Sequence, residues 1–516
     1  MNRREFVRLA GAGGMLLPAA PLMEKLSVVE SAPVLTVSTE PLFGLSPWLY
    51  MQFMEPLGTS DSSVEAAWDH GIDDWQDNVI QLTKELAPGM VRWGGVFSSY
   101  YRWKEGVGPR RNRRPVLNIQ WGGMESNQIG TAEFVDLCRR VGADPMICVN
   151  FESDGNPGWA TNRKGEVRSA DATEAAQWVD YCNNPGNRMR RRHGYHDPFA
   201  VKVWQIGNET SYHNGFDVVT AARKTVEFAR AMKKADPSIH IIAWGDSGWA
   251  KQMMDIAGEY IDYIAFHHGF HPVESMGDSS ERQRIVESPL NFHNYRKDPA
   301  STWDHLIFDG CKIHERRLTE MREEVSGNQM LLAMTECHFG FKGRNRGEVL
   351  STWAAGVSYA RLMNLHERNG DVLKIATLAD FCGTRWQTNA LMIVPGGEPV
   401  LMPVGKIMSL YRRHTGEQLL RTTGGQKDLD ITASSTGNTI FLHVVNTSRT
   451  EAATLRVEVP GRTLASGRSF ELCTDPEYEV LGSPSDPLVP VERILSVDEP
   501  IHFPAASVTA VELAIR

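Results

Sequence analysis

Charged and amide side chains recur where short apolar runs stop. Glu55 follows Gln52-Phe53-Met54, Arg92 lies in Met90-Val91-Arg92-Trp93 ahead of Gly94-Gly95, and Asn150 follows Ile147-Cys148-Val149. Asn208-Glu209 follows Val203-Trp204-Gln205-Ile206-Gly207, His267-His268 follows Ile264-Ala265-Phe266, and Glu336 follows Ala333-Met334-Thr335. A last run leads to Asp380 and on to Trp386, Gln387 and Asn389. Burying such groups at random is costly, so their recurrence at run ends marks a site. Two carboxylates facing each other, Glu209 and Glu336, suit cleavage of a glycosidic bond. One protonates the leaving oxygen and then activates water; the other attacks the anomeric carbon. The acid must be kept protonated by burial or a nearby negative charge. The attacking carboxylate must be kept ionised by donors such as Arg92 or a histidine. Asn208 is placed to hydrogen-bond a sugar hydroxyl, and His267 to donate to the nucleophile or the sugar. Glu55, Arg92, Asn150, Trp386 and Gln387 complete the expected sugar-binding set.

The elements that position these groups alternate. Apolar runs at Trp48–Met54, Gly89–Trp93, Pro145–Phe151, Ala200–Ile206, His240–Trp244, Tyr260–His267, Gln329–Thr335 and Val372–Ala379 read as eight strands buried on both faces. Amphipathic stretches such as Ala132–Val141 and Thr220–Ala235 lie between them. This is the pattern of an α/β fold, a (β/α)8 barrel over residues 44–412, whose active site sits at the strand C-termini. After about residue 413, segments such as Thr439–Val445 and Val508–Ala514 alternate apolar and polar residues, as an antiparallel β-sandwich does. Residues 33–43 hold Val34–Val37, of the same character and open to joining that sandwich.

Composition narrows the function classes. The 516 residues carry a formal charge of −9, so no basic excess exists for a nucleic-acid partner. Seven scattered cysteines have no metal-type spacing and read as buried small hydrophobes. His267, His268 and His271 are too loosely spaced to read as a metal site, so no metal or cofactor is expected. Of the basic runs at Arg110–Arg114 and Arg188–Arg192 the second reads as a solvated loop beside the fourth strand, with a grip on an acidic glycan as the alternative. There is no phosphate-binding loop and no nucleophile elbow. Residues 1–32 open with Arg3-Arg4-Glu5-Phe6 and a short Gly/Ala-rich apolar stretch. This reads as a twin-arginine signal and predicts a periplasmic or extracellular protein, with no membrane span.

The chain resembles glycoside hydrolase family 51, the α-L-arabinofuranosidases, within clan A. The likeness spans roughly residues 43 to 420. It is carried by Glu55 in its run, Val91–Gly95, Tyr101–Pro109, Glu125–Phe134, Trp178–Asn183, Lys202–Glu209 and Met232–Ile239. The resemblance implies retention of anomeric configuration, Glu209 as acid/base and Glu336 as nucleophile, and sugar contacts from Glu55, Asn150 and Asn208. It also implies arabinose-containing substrates and admits a homo-oligomer. Four changes, at five positions, depart from the family's usual pattern around the expected furanose pocket: Trp93, Val96, Gly269 and the pair Cys337-His338. Another clan A activity (a β-xylosidase, a β-glucanase, another furanosidase) and a non-catalytic carbohydrate-binding barrel remain the alternatives.

Overall fold

A computed structural model of the protein describes residues 32–273, 294–340, 347–385, 388–481 and 486–516. Seven strands pair side by side, all parallel. They are β1 (Met51–Met54), β2 (Met90–Trp93), β3 (Asp144–Val149), β4 (Val203–Ile206), β5 (His240–Trp244), β6 (Tyr263–Phe270) and β7 (Leu331–Phe339). The eighth position is shared by two short strands. β8 (Leu373–Ala376) pairs with β7, and β9 (Asp380–Gly383) pairs with β1 through Asp380 opposite Phe53. Between them the Thr377 hydroxyl bonds the carbonyl of Ala379 at 2.8 Å, a local turn that interrupts the single strand expected there. The ring closes across this break, giving the (β/α)8 barrel.

Period-two alternation along each strand sorts the side chains. Met51, Met90, Met146, Val203, Ile242, Ala265, Ala333 and Ile375 form one cluster inside the barrel. Their neighbours Val91, Ile147, Trp204, Ile241 and Ile264 pack outward beneath the helices. Two residues further along, the inward positions turn polar: Arg92, Gln205 and His267. One more step reaches Glu55 and Asn150 at the mouth. The apolar floor thus excludes water from below, and the polar layers sit where the strands run out.

The helices follow from local signals. Thr131–Val141 starts with Glu133 accepting the N–H of Gly130 at 2.9 Å and stops at Gly142, whose φ is 75°. Val218–Ala235 is capped by Asp217, which accepts the N–H of Thr220 at 3.0 Å.

The C-terminal sandwich includes nine strands: Val34–Gly44, Gln418–Gly424, Leu429–Thr436, Thr439–Asn446, Ala453–Glu458, Leu464–Cys473, Val491–Leu495, Ile501–Phe503 and Ser507–Ile515. All pairings are antiparallel except Val34–Gly44 beside Ala453–Glu458. A single apolar cluster draws Leu35 and Phe503 from one end of the strand order and Leu442 and Leu513 from nearer the other, as two facing layers do. The barrel helix Trp353–Arg368 docks on this sandwich. Its buried Glu367 reaches His443 at 2.8 Å, the Tyr50 hydroxyl at 2.8 Å and Thr432 at 2.5 Å. Arg361 and Arg368 bind Asp430 at 2.9 and 2.7 Å.

Candidate active site

Glu336 owes its position to an irregularity. β6 and β7 run in register up to Phe266 opposite Met334, and then His267 faces Glu336. Thr335 is the extra residue, a bulge that re-aims the strand end. Both Thr335 and Glu336 then serve the barrel mouth. The Thr335 hydroxyl lies 2.9 Å from His267 Nε2, and Glu336 Oε1 accepts from Arg92 at 2.8 Å.

Arg92 is wholly buried, and its fork organises the floor of the site. It donates to Glu336, to Gln205 Oε1 at 2.9 Å and to Asn208 Oδ1 at 2.6 Å. A buried guanidinium survives only with its partners in place, and these three supply them. Glu209 stands opposite, on a turn with left-handed backbone (φ 54°, ψ 29°) two residues after Gly207. A Cβ on Gly207 would come within 2.6 Å of the Thr210 hydroxyl, so this turn admits only glycine there. Beneath the turn, buried Asp154 accepts from the N–H of Asn208 (3.1 Å) and the hydroxyls of Thr210 (2.6 Å) and Ser99 (2.6 Å). Burial pushes Asp154 up to about 6, against the pull of these donors.

His267 stands between the two glutamates. Its Nδ1 is 3.0 Å from Glu209 and 3.6 Å from Glu336, and its backbone N–H donates to Asp246 at 3.1 Å. One oxygen of Glu209, one of Glu336 and a ring nitrogen of His267 all lie within 4.8 Å of one another. Burial alone would raise Glu209, but His213, at 3.5 Å, and His267 hold it below the usual carboxylate range. The two histidines thus pull Glu209 in the direction opposite to the raised acid that bond cleavage asks for.

Glu55 comes to the same mouth. It accepts from the N–H of Phe97 at 2.8 Å and from Trp121 Nε1 at 3.1 Å. Burial first, and then the charge of Glu336, push it well above its ordinary range. A Cβ on Gly95 would fall 2.2 Å from the Glu55 carboxyl, which accounts for the second glycine after Trp93. Asn150 is differently employed. Its amide donates to the carbonyls of Arg168 and Tyr101 (2.8 and 3.3 Å) and accepts from the N–H groups of Ser153 and Ala170 (3.0 and 3.3 Å), so it ties loops together. Trp386 and Gln387 lie outside the described residues. Trp121, Asp154, Gln205, His213 and Asp246 were missed from sequence. Gln205, a lone amide inside an apolar strand, was the one with a readable signal.

The profile of a family described as "Alpha-L-arabinofuranosidase 1 domain" matches residues 82–301, and that of "Alpha-L-arabinofuranosidase C-terminal domain" matches residues 340–507. The chain is α-L-arabinofuranosidase-like in both its barrel and its sandwich. It is 35% identical over 293 residues to an intracellular exo-α-(1→5)-L-arabinofuranosidase of Halalkalibacterium halodurans, covering 51% of this chain and 55% of that one. It is 34% identical over 240 residues to the protein of the same name in Acetivibrio thermocellus, covering 42% and 44%. The matches therefore span about half the length of these relatives. The fold is that of the Thermotoga maritima α-L-arabinofuranosidase crystallised with arabinose (TM-score 0.73, 23% identity, 94% of this chain and 100% of that one).

Two expectations change here. Both relatives are named intracellular, which overturns the export predicted from Arg3-Arg4. That motif is an address read by a receptor, and nothing in how this family folds depends on it; residues 1–31 lie outside the described residues. Second, the departures from the family's pattern do not all line the pocket. Trp93 points outward against Phe134 and Tyr101, and Cys337 points outward beside His268. No helix among the described residues is long and apolar enough to cross a membrane.

Proposed function

We propose that this protein is a retaining, exo-acting α-L-arabinofuranosidase on arabinose-containing poly- or oligosaccharides, with Glu336 as nucleophile and Glu209 as acid/base. The observation that carries this is the approach of the two carboxylates within 4.8 Å around His267. Retaining enzymes hold their carboxyl groups about 5–5.5 Å apart, whereas inverting ones leave about 6.5–9.5 Å for a water. Arg92 keeps Glu336 ionised and oriented for attack on the anomeric carbon. In the first half-reaction the Glu336 oxygen bonds that carbon while the leaving oxygen takes a proton from Glu209. In the second, Glu209 takes a proton from water, which displaces Glu336 from the sugar. The proton that Glu209 takes from water in the second half is the one it gives to the leaving oxygen in the next turnover, so the cycle closes on Glu209 itself.

The test is hydrolysis of aryl α-L-arabinofuranoside against aryl β-xyloside and β-galactofuranoside, with the first-formed anomer read by NMR. Preference for the arabinofuranoside with retained configuration is expected. An inverted product overturns the assignment of Glu336, and a preference for another glycoside overturns the substrate. Glu209→Ala should be rescued by azide on an activated substrate, giving a glycosyl azide of retained configuration.

A further inference from the structure

Behind the catalytic strand ends lies a second cluster. The bulge that turns Glu336 inward turns Cys337 outward, and the pairing of β6 with β7 sets His268 directly beside it. The helix Gly310–Glu324 lays His314 over both. Its Nδ1 is 2.9 Å from His268 Nδ1, with the two rings within 14° of parallel. A ring nitrogen of each histidine and the Cys337 sulfur lie within 4.8 Å of one another. On the far side, His314 Nε2 is 2.8 Å from Nε2 of His366, on the helix Trp353–Arg368.

We propose that His268, His314 and Cys337 form a Zn²⁺ site, with His366 orienting His314 from behind. Two imidazoles and a thiol within reach of one point are a donor set that Zn²⁺ favours. The tautomers fit. If His314 binds metal through Nδ1, its proton sits on Nε2 and donates to His366, the outer hydrogen bond that metal-bound histidines ordinarily make. Two nitrogens on one tetrahedral Zn²⁺ stand roughly 3.3 Å apart, so the present contact needs to open by only about 0.4 Å. Binding replaces the Cys337 S–H bond with a Zn–S bond and releases that proton to solvent. The fourth position is left to water. Such an ion would pin β6, β7 and the helix Gly310–Glu324 together immediately behind His267 and Glu336. This inference is independent of the glycosidase reading.

The experiment titrates Co²⁺ into the chelator-stripped full-length protein. A thiolate-to-cobalt charge-transfer band in the near ultraviolet, saturating at one equivalent and abolished by Zn²⁺, is expected. It should be absent in Cys337→Ser. His268→Asn supplies a second variant should the first misfold: zinc should raise the Tm of the wild type by several degrees and leave that of His268→Asn unmoved. No band in the wild type, or a band that persists in Cys337→Ser, overturns the site. So does a zinc-dependent Tm rise that survives in His268→Asn.

Discussion

Arg92 illustrates how one residue carries both stability and chemistry. It is fully buried and touches Glu336, Gln205 and Asn208 at once. Removing one member of a buried ion pair leaves the other charge uncompensated, at about 3–5 kcal/mol. Arg92→Met should therefore lower unfolding free energy by that order in denaturant melts, whatever the reaction is. Glu336→Gln keeps the shape and hydrogen-bonding capacity but abolishes the nucleophile. On the proposed mechanism its turnover falls by at least ~10³-fold, and because the buried Arg92 loses its counter-charge its Tm falls as well. A variant retaining more than about a tenth of wild-type kcat would remove Glu336 from the reaction. Both substitutions break the same buried pair and should lower the Tm, so it is kcat per folded molecule that assigns Glu336 to the reaction.

At the scale of elements, the turn after β4 is held from below by Asp154. Its folded pKa of about 6 exceeds the unfolded value of about 3.9, so the folded state binds this proton more tightly. The resulting stabilisation is complete below about pH 4 and is lost as pH rises through about 6; at its fullest it is about 3 kcal/mol. Asp154→Asn, which mimics the protonated form, should flatten that part of the stability profile; an unchanged slope would refute the assignment. The elements themselves were largely legible. Runs apolar on nearly every residue marked the barrel strands, and polar residues in or just after them marked Arg92, Glu209, His267 and Glu336, which the fold brings together. Three things were not legible. The bulge at Thr335 depends on pairing between strands, and the split of the eighth strand depends on a side-chain hydrogen bond to backbone. The employment of Asn150 by loop backbone depends on where distant loops pass. The cluster of His268, His314 and Cys337 is likewise built across separate elements, so no local spacing could announce it.

At the scale of the whole molecule, barrel and sandwich are joined through a buried charge. Glu367 meets His443, Tyr50 and Thr432 in a seam where it is 2% exposed and His443 is equally hidden. Burial pushes its carboxyl upward, but His443 together with the two hydroxyl donors brings it below the usual range. The partners thus outweigh desolvation, and the charge is held by the seam itself. Glu367→Gln keeps the volume and removes the charge, leaving His443 facing a neutral amide. The expected cost is about 3–5 kcal/mol, read as a lower midpoint in urea. Because the seam lies between the helix Trp353–Arg368 and the sandwich strands, the loss should couple to the docking of the two parts. A double-mutant cycle with His443→Gln should return an interaction energy above about 1 kcal/mol, since the residues touch directly. If the two substitutions prove additive, the seam is held by its apolar contacts and by the Arg361 and Arg368 pairs to Asp430 instead. Protease cleavage between residues 413 and 418 should then be no faster in Glu367→Gln than in the wild type, whereas a seam held by Glu367 predicts faster cleavage there.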